Sequence, residues 1–392
     1  MSTSSVRARQ DVVGRVSELV PLFRKHAAWQ EENRRLHEES VEALADAGVF
    51  KLRTPARYGG YEADSRMLIA VATEIGRGDG STAWTAAVSW IPGWMTCLFP
   101  DSVQDEVFAT PDVRVCGTLS PTGTATPGNG GVVVNGSWAF ISGAWHSHWQ
   151  EIIAVRTGPG EPTPIMALVP MSDMRIVDDW HAAGLRGSGS VTTIARDLFV
   201  PDDRILPLTA VLMQQSASRL NADSAIYRPP LVPVAAASSV GVATGLAHAA
   251  HEAFFRRLPE RKITYTDYDS QREAPITHLR VAEATRRLDE AEFHAYRLGS
   301  LVDRKATDGA PWTVRERVTA RAELGAACES ARHAVESLAT ASGASSIYSH
   351  MPIQRVRRDI QALTLHALIN PATNAELYGR VLCGLEPNSR YI

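Results

Sequence analysis

The period of the apolar residues changes twice along this chain, and nothing else in the sequence constrains its fold as strongly. Up to about residue 112 the period is helical. Val12, Val16, Leu19 and Phe23 recur at spacings of four, three and four, one face of a helix. Val41, Leu44 and Ala45 form a second stripe that ends near Gly48, and Met67, Val71 and Ile75 form a third, with the loop PARYGG at Pro55 to Gly60 between them. Ser81 is the expected N-cap of a helix from Thr82 to Leu98, stopped by Pro100 and too apolar to face water. From about 113 to 210 the period shortens to two. Val132 and Val134 alternate before Asn135-Gly136, and Trp138 and Phe140 after it, so a hairpin turn is expected at that dipeptide. Short runs at 152–155, 165–169, 174–177 and 191–200, punctuated by Gly and Pro, predict an antiparallel barrel or sandwich. From about 222 the helical period returns. Val281, Ala284, Leu288, Ala291, Ala295 and Leu298 step by three and four, and so do Leu324, Cys328, Ala331, Val335 and Leu338. That spacing, with many small residues, predicts a long-helix bundle. The expected class is α+β: an N-terminal helical domain over 1–112, a central β domain over 113–221, and a C-terminal four-helix bundle over 222–392. The first ten residues are the only expected mobile tail.

Charge and cysteine usage exclude several functions. Lys plus Arg is 40 and Asp plus Glu is 43, a balance that argues against binding nucleic acid by bulk electrostatics. No run of about 18 apolar residues is present, so no membrane span is expected. Met1 to Gln10 has no apolar signal core, and a cytoplasmic protein is the expectation. Cys97, Cys116, Cys328 and Cys383 are scattered, which rules out the usual zinc and dithiol spacings. His146 and His148 alternate on a strand without a third ligand in view, so no metal is expected. Gly187-Ser-Gly189 lacks the strand before and helix after that a dinucleotide fingerprint requires.

The order of the three zones, together with local motifs, resembles the acyl-CoA dehydrogenase superfamily over nearly the whole chain. PARYGG, Trp138-Ala-Phe-Ile-Ser-Gly143 and Gly184-Leu-Arg-Gly-Ser-Gly-Ser190 carry the resemblance, as does the Val200-Pro201 junction. Pro352-Ile-Gln-Arg-Val-Arg-Arg-Asp359 followed by Leu365-His366 is similar to the flavin-dependent monooxygenase branch. The resemblance implies an oxygenase component that takes reduced FMN or FAD from a separate NAD(P)H-flavin reductase. With O2 it would form a C4a-hydroperoxyflavin and hydroxylate an aromatic or polycyclic small molecule, or oxidise an amine nitrogen, in specialised metabolism. The alternatives are an FAD-dependent acyl-CoA dehydrogenase, or a non-catalytic relative. The dehydrogenase needs a glutamate base shortly after the Arg-Asp motif, and Gln361 to Asn370 offers no carboxylate.

The same resemblance implies the site residues. Ser142 would face flavin N5 and O4, with Thr118 and Ser120 along the pyrimidine and Trp138 or Phe140 as a wall. Arg261 would hold the flavin phosphate, and Gln354 and Arg358 would reach the flavin of a neighbour in a homotetramer. His366 would accept a substrate proton, since histidine titrates near working pH. It lies seven residues after Asp359, two turns along one helix face. Trp90-Ile-Pro-Gly-Trp94 puts Pro92 and Gly93 where phenol and steroid hydroxylases of this branch carry a His. A Pro inside a helix removes a hydrogen bond and kinks the chain, so a larger substrate than a simple phenol is expected.

Overall fold

The structure, a computed structural model, describes residues 11–158, 161–213 and 215–392. The proposed N-terminal tail, residues 1–10, lies outside them. The first zone contains α1 (Val12–Glu18), α2 (Val20–Asn33), α3 (Glu38–Asp46), α4 (Ser65–Gly78), α5 (Gly80–Thr96) and α6 (Asp101–Val107). Asp79, not Ser81, caps α5: its carboxylate accepts from Thr82 N at 2.8 Å. The helix runs through Pro92 without ending, giving up only the bond that Pro92 cannot donate.

The strands are β1 (Val115–Gly117), β2 (Gly123–Gly128), β3 (Gly131–Ile141), β4 (Trp149–Arg156), β5 (Thr163–Pro170), β6 (Arg175–Val177), β7 (Val191–Pro201) and β8 (Ile205–Pro207). They form one sheet in the order β6-β7-β3-β2-β4-β5-β8, with β1 also on β4. Most pairings are antiparallel, as expected, but not all. β1 and β2 both run parallel to β4, and the end strands β6 and β8 do not pair with each other, so the sheet is mixed and open. The hairpin turn is also displaced. β3 passes straight through Asn135-Gly136, where its register against β7 shifts, and the chain reverses instead at Asn129-Gly130, between paired Gly128 and Gly131. A second register shift falls between Trp138 and Ile141. Such bulges re-aim the side chains that follow them.

After the short α7 (Leu208–Leu212) come α8 (Leu231–Arg257), α9 (Pro275–Asp308), α10 (Val314–Ala341), α11 (Pro352–Thr364) and α12 (Pro371–Leu382). By length and composition α8 could cross a membrane, a feature the search for unbroken apolar runs passes over. Here 94% of its apolar window is buried inside the protein. It crosses α4 closely, because a Cβ on Gly245 would come within 2.5 Å of the Thr73 carbonyl. One apolar core, from Val12 to Ile369, takes in residues of α4 and α5 together with α8, α9, α10 and α11, so helices from both ends of the chain pack as one body. The sheet has its own core.

Candidate active site

At the end of β3 the chain leaves the regular ladder. Phe140 adopts φ +64°, a conformation that costs a non-glycine residue about 1–2 kcal/mol, and its ring is 71% exposed. Ser142 N–H folds back onto the Phe140 carbonyl at 3.0 Å. The Ser142 hydroxyl is therefore the group left to face outward chemistry. It accepts from Trp84 Nε1 at 3.0 Å and lies 2.7 Å from Ser190 Oγ. Ser190 in turn is 2.7 Å from Ser188 Oγ, which donates to the Leu185 carbonyl. Each hydroxyl has one proton, so the direction of the chain is set from its far end. Ser188 donates to Leu185, Ser190 to Ser188, and Ser142 to Ser190. Leu185 N–H donates to the buried Asp359 carboxyl at 2.7 Å. Burial, and then the charge of Asp79, push Asp359 up to about 7.

Trp84 joins the two residues singled out for chemistry. Its N–H holds Ser142, and its ring meets that of His366 edge-on at 5.1 Å. α11 ends at Thr364, so His366 sits in the turn beyond it and does not share a helix face with Asp359. Its ring is open to solvent yet crowded by protein, the mark of a cleft, and this crowding pushes its pKa down to about 4. His366 is therefore neutral at pH 7. Its Nδ1 accepts from Leu368 N at 3.3 Å, which leaves the proton on Nε2. As it stands, His366 is a hydrogen-bond donor toward the cleft, where the sequence suggested a base.

The remaining expectations divide. Thr118 and the exposed Ser120 lie together just past β1, with 3.4 Å between their hydroxyls. Phe140 stands edge-on to Trp180 at 6.0 Å, giving the cleft a second aromatic wall. Arg261 donates to the Ser342 carbonyl and faces no carboxylate among the described residues; burial and then the nearby Arg257 guanidinium lower its pKa. Trp138 does not belong to the site. It is fully buried in the sheet core, with its N–H on the Ile153 carbonyl at 2.8 Å. Arg358 and Gln354 are also committed elsewhere. Arg358 pairs with Glu31 at 2.5 Å and donates to Ala183 O and to Gln354 Oε1, while Gln354 Nε2 donates to Ser349 O. Trp84 is the residue that sequence reasoning missed. The available signal was its indole N–H, which a buried tryptophan must place on some acceptor.

Among the described residues His26, His37 and Glu39 cluster closely enough to suggest a metal. The two imidazoles are stacked at 3.9 Å and 16°, so their in-plane lone pairs cannot converge on one ion, and His37 Nδ1 already accepts from Glu39 N.

An open aromatic cleft, with hydroxyls at one edge and a neutral imidazole nearby, suits a planar polar ring. Comparison with known proteins agrees. Models described as acyl-CoA dehydrogenase N-terminal and C-terminal domains match residues 15–106 and 237–371. A flavin-dependent monooxygenase oxygenase subunit, HsaA, from Rhodococcus jostii is 31% identical over 95% of this chain and 98% of its own. The chain belongs to the acyl-CoA dehydrogenase superfamily, in its flavin-dependent monooxygenase branch. Within that branch, an FADH2-dependent resorcinol hydroxylase oxygenase component from Rhizobium is 30% identical over 97% of this chain and 96% of its own. The solved structure of XiaF from Streptomyces in complex with FADH2 and glycerol superimposes with a TM-score of 0.93 at 29% identity, over 99% of this chain and 98% of that one.

Proposed function

We propose that this monooxygenase uses reduced FMN or FAD, delivered by a separate NAD(P)H-flavin reductase, and O2 to hydroxylate an aromatic substrate larger than a simple phenol. The observation that carries the reading is the junction of Ser142, Trp84 and His366 at the mouth of one cleft. The flavin supplies the activated oxygen when bound. Ser142, Thr118, Ser120 and Phe140 would hold its ring, and Arg261 its phosphate. His366 would donate through Nε2 to a substrate oxygen and favour its ionised form, which makes the aromatic carbon a better nucleophile. The larger substrate is the expectation from Pro92-Gly93, and a Cβ on Gly93 would meet nothing within 4 Å. Dehydrogenation of an acyl thioester is not favoured, since Asp359 is buried and tied to Leu185 rather than open to the cleft.

The proposed domains are 1–112, 113–221 and 222–392, and the proposed assembly is a homotetramer. Ile276, Leu279 and Phe293 of α9 are exposed apolar residues that a second copy would cover. An active monomer in light scattering would reject the assembly. The test of function is to add reduced flavin, O2 and a panel of mono- and polycyclic aromatics to the purified protein. Hydroxylated product without NADH consumption by the isolated protein is expected; strong NADH oxidation by the protein alone would sink the reading. Arg261→Ala should weaken reduced-flavin binding about 10- to 100-fold, the range for losing a charged hydrogen bond.

A further inference from the structure

Beside Ser142 lies a cavity of about 10 Å³, lined among others by Phe50, Thr85, Ser89, His146 and Ser147. That is room for one water molecule. Two polar atoms in its lining have no hydrogen-bond partner among the described residues, Thr85 Oγ1 and His146 Nε2. Both side chains are buried, at 7% exposure each. Ser89 and Ser147 donate to the Ala86 and Gly143 carbonyls and keep lone pairs free. Orphaned donors and acceptors around a water-sized space are the usual signature of an ordered water.

The far side of His146 faces the surface. Its Nδ1 is 3.7 Å from Glu38 Oε1, on a side chain that is 73% exposed. Three other groups bear on the ring. Arg114, just before β1, donates to the His146 carbonyl; Arg35 precedes α3; and His148 lies beside Arg114, 3.5 Å from its guanidinium. Burial lowers the His146 pKa first, Glu38 opposes it, Arg114 and Arg35 add to the lowering, and a hydrogen bond to the Leu36 backbone opposes it. The ring is thus neutral at pH 7, with one nitrogen able to accept and the other to donate.

The reaction needs such a group. Written from the N1 anion of the reduced flavin, it is reduced flavin plus O2 plus substrate C–H plus one proton, giving oxidised flavin, substrate C–OH and water. Two electrons pass from flavin to O2. One oxygen atom enters the C–H bond and the other leaves as water, so one proton must reach the site in each turnover. We propose that the cavity holds one water bonded to Thr85 and His146, and that Glu38, His146 and this water carry the entering proton to Ser142. His146 takes a proton at Nδ1 and gives one from Nε2 to the water. The water gives one to a lone pair of Ser142, whose own hydroxyl proton turns from Ser190 into the site. The inference rests on the proposed placement of the flavin against Ser142.

The test separates the two. Placement is read from the absorbance of bound flavin, which Ser142→Ala should perturb; an unchanged spectrum overturns the placement and the relay with it. The relay is read independently. A high-resolution crystal structure should show the water, and Thr85→Val should remove it and shift the His146 ring nitrogens in NMR. His146→Asn should slow turnover about 10²-fold, most strongly above pH 8 where protons are scarce, and raise the solvent deuterium isotope effect, with reduced-flavin affinity changed less than about twofold. Glu38→Gln, at an exposed position that does not threaten folding, should produce the same changes in weaker form. A dry cavity in the native protein overturns the relay. So does an unaltered pH profile and isotope effect in a folded His146→Asn enzyme that still binds flavin.

Discussion

At the scale of single residues, Trp84 links Ser142 to His366 through one hydrogen bond and one ring contact. Trp84→Phe keeps a ring against His366 and removes the N–H that fixes Ser142. It should lower the ratio of product to hydrogen peroxide about 5- to 10-fold, the effect of about 1 kcal/mol in one hydrogen bond, measured by assaying both species. His366→Ala should cut hydroxylation by about 10²- to 10⁴-fold and divert oxygen to peroxide, while reduced-flavin affinity holds. A His366→Ala variant with normal product yield would make this a packing histidine. Since crowding holds His366 well below its ordinary pKa, no step near pH 6.5 in the hydroxylation profile should belong to it, and the profile of His366→Asn should keep the native shape. Ser142 and His366 were recognisable in the sequence as candidates because each sits in a local motif. Trp84 was not, because in so apolar a helix a tryptophan reads as core. Period-two alternation puts Trp138 and Phe140 on one face; the register shift between Trp138 and Ile141 sends one inward and the other out. The Arg358–Glu31 pair joins α11 to α2, a contact that no local pattern reports.

At the scale of elements, the helices were readable and the sheet connections were not. Spacings of three and four located α4, α9 and α10, since one buried face imposes that period on any helix. Strand positions followed from alternation in the same way. The turn did not, because Asn-Gly marks a place where backbone can depart from the ladder, and a bulge satisfies that as well as a hairpin does. The parallel pairing of β1 and β2 with β4 is a tertiary choice that leaves no local trace. The α4–α8 crossing offers a direct test. Gly245→Val would drive its side chain into Thr73 O and Gly76 Cα, and should destabilise the protein by about 1–3 kcal/mol, read as a lowered midpoint in denaturant unfolding. An unchanged midpoint would mean that the two helices can separate without loss.

At the scale of the whole molecule, three apolar zones in order were enough to predict helices, sheet and bundle, but not that the first and last zones share one core. That merger places buried acids between elements distant in sequence. Glu151 on β4 is fully buried, its only side-chain hydrogen bond among the described residues is from Thr96 at 3.4 Å, and burial raises its pKa well above the usual carboxylate range. The folded form therefore holds a proton that the unfolded chain gives up above pH 4.5. Stability falls as pH rises from there toward the folded pKa, by about 1.4 kcal/mol per pH unit for each such group. Glu151→Gln removes that slope and keeps the shape, so the variant should gain on the native protein between pH 5 and 7 in thermal unfolding. Equal slopes would show that Glu151 is ionised in the fold. The buried α8 has a consequence for how the chain is made. Its packing partners α9 and α10 lie downstream, so the ribosome releases a membrane-like segment well before half of its cover exists. At about 5–20 residues per second, the exposed interval lasts seconds, long enough for a chaperone or a bilayer to compete for it. Chains cut off near residue 270 should accordingly aggregate or partition onto lipid vesicles, while the complete protein stays in solution.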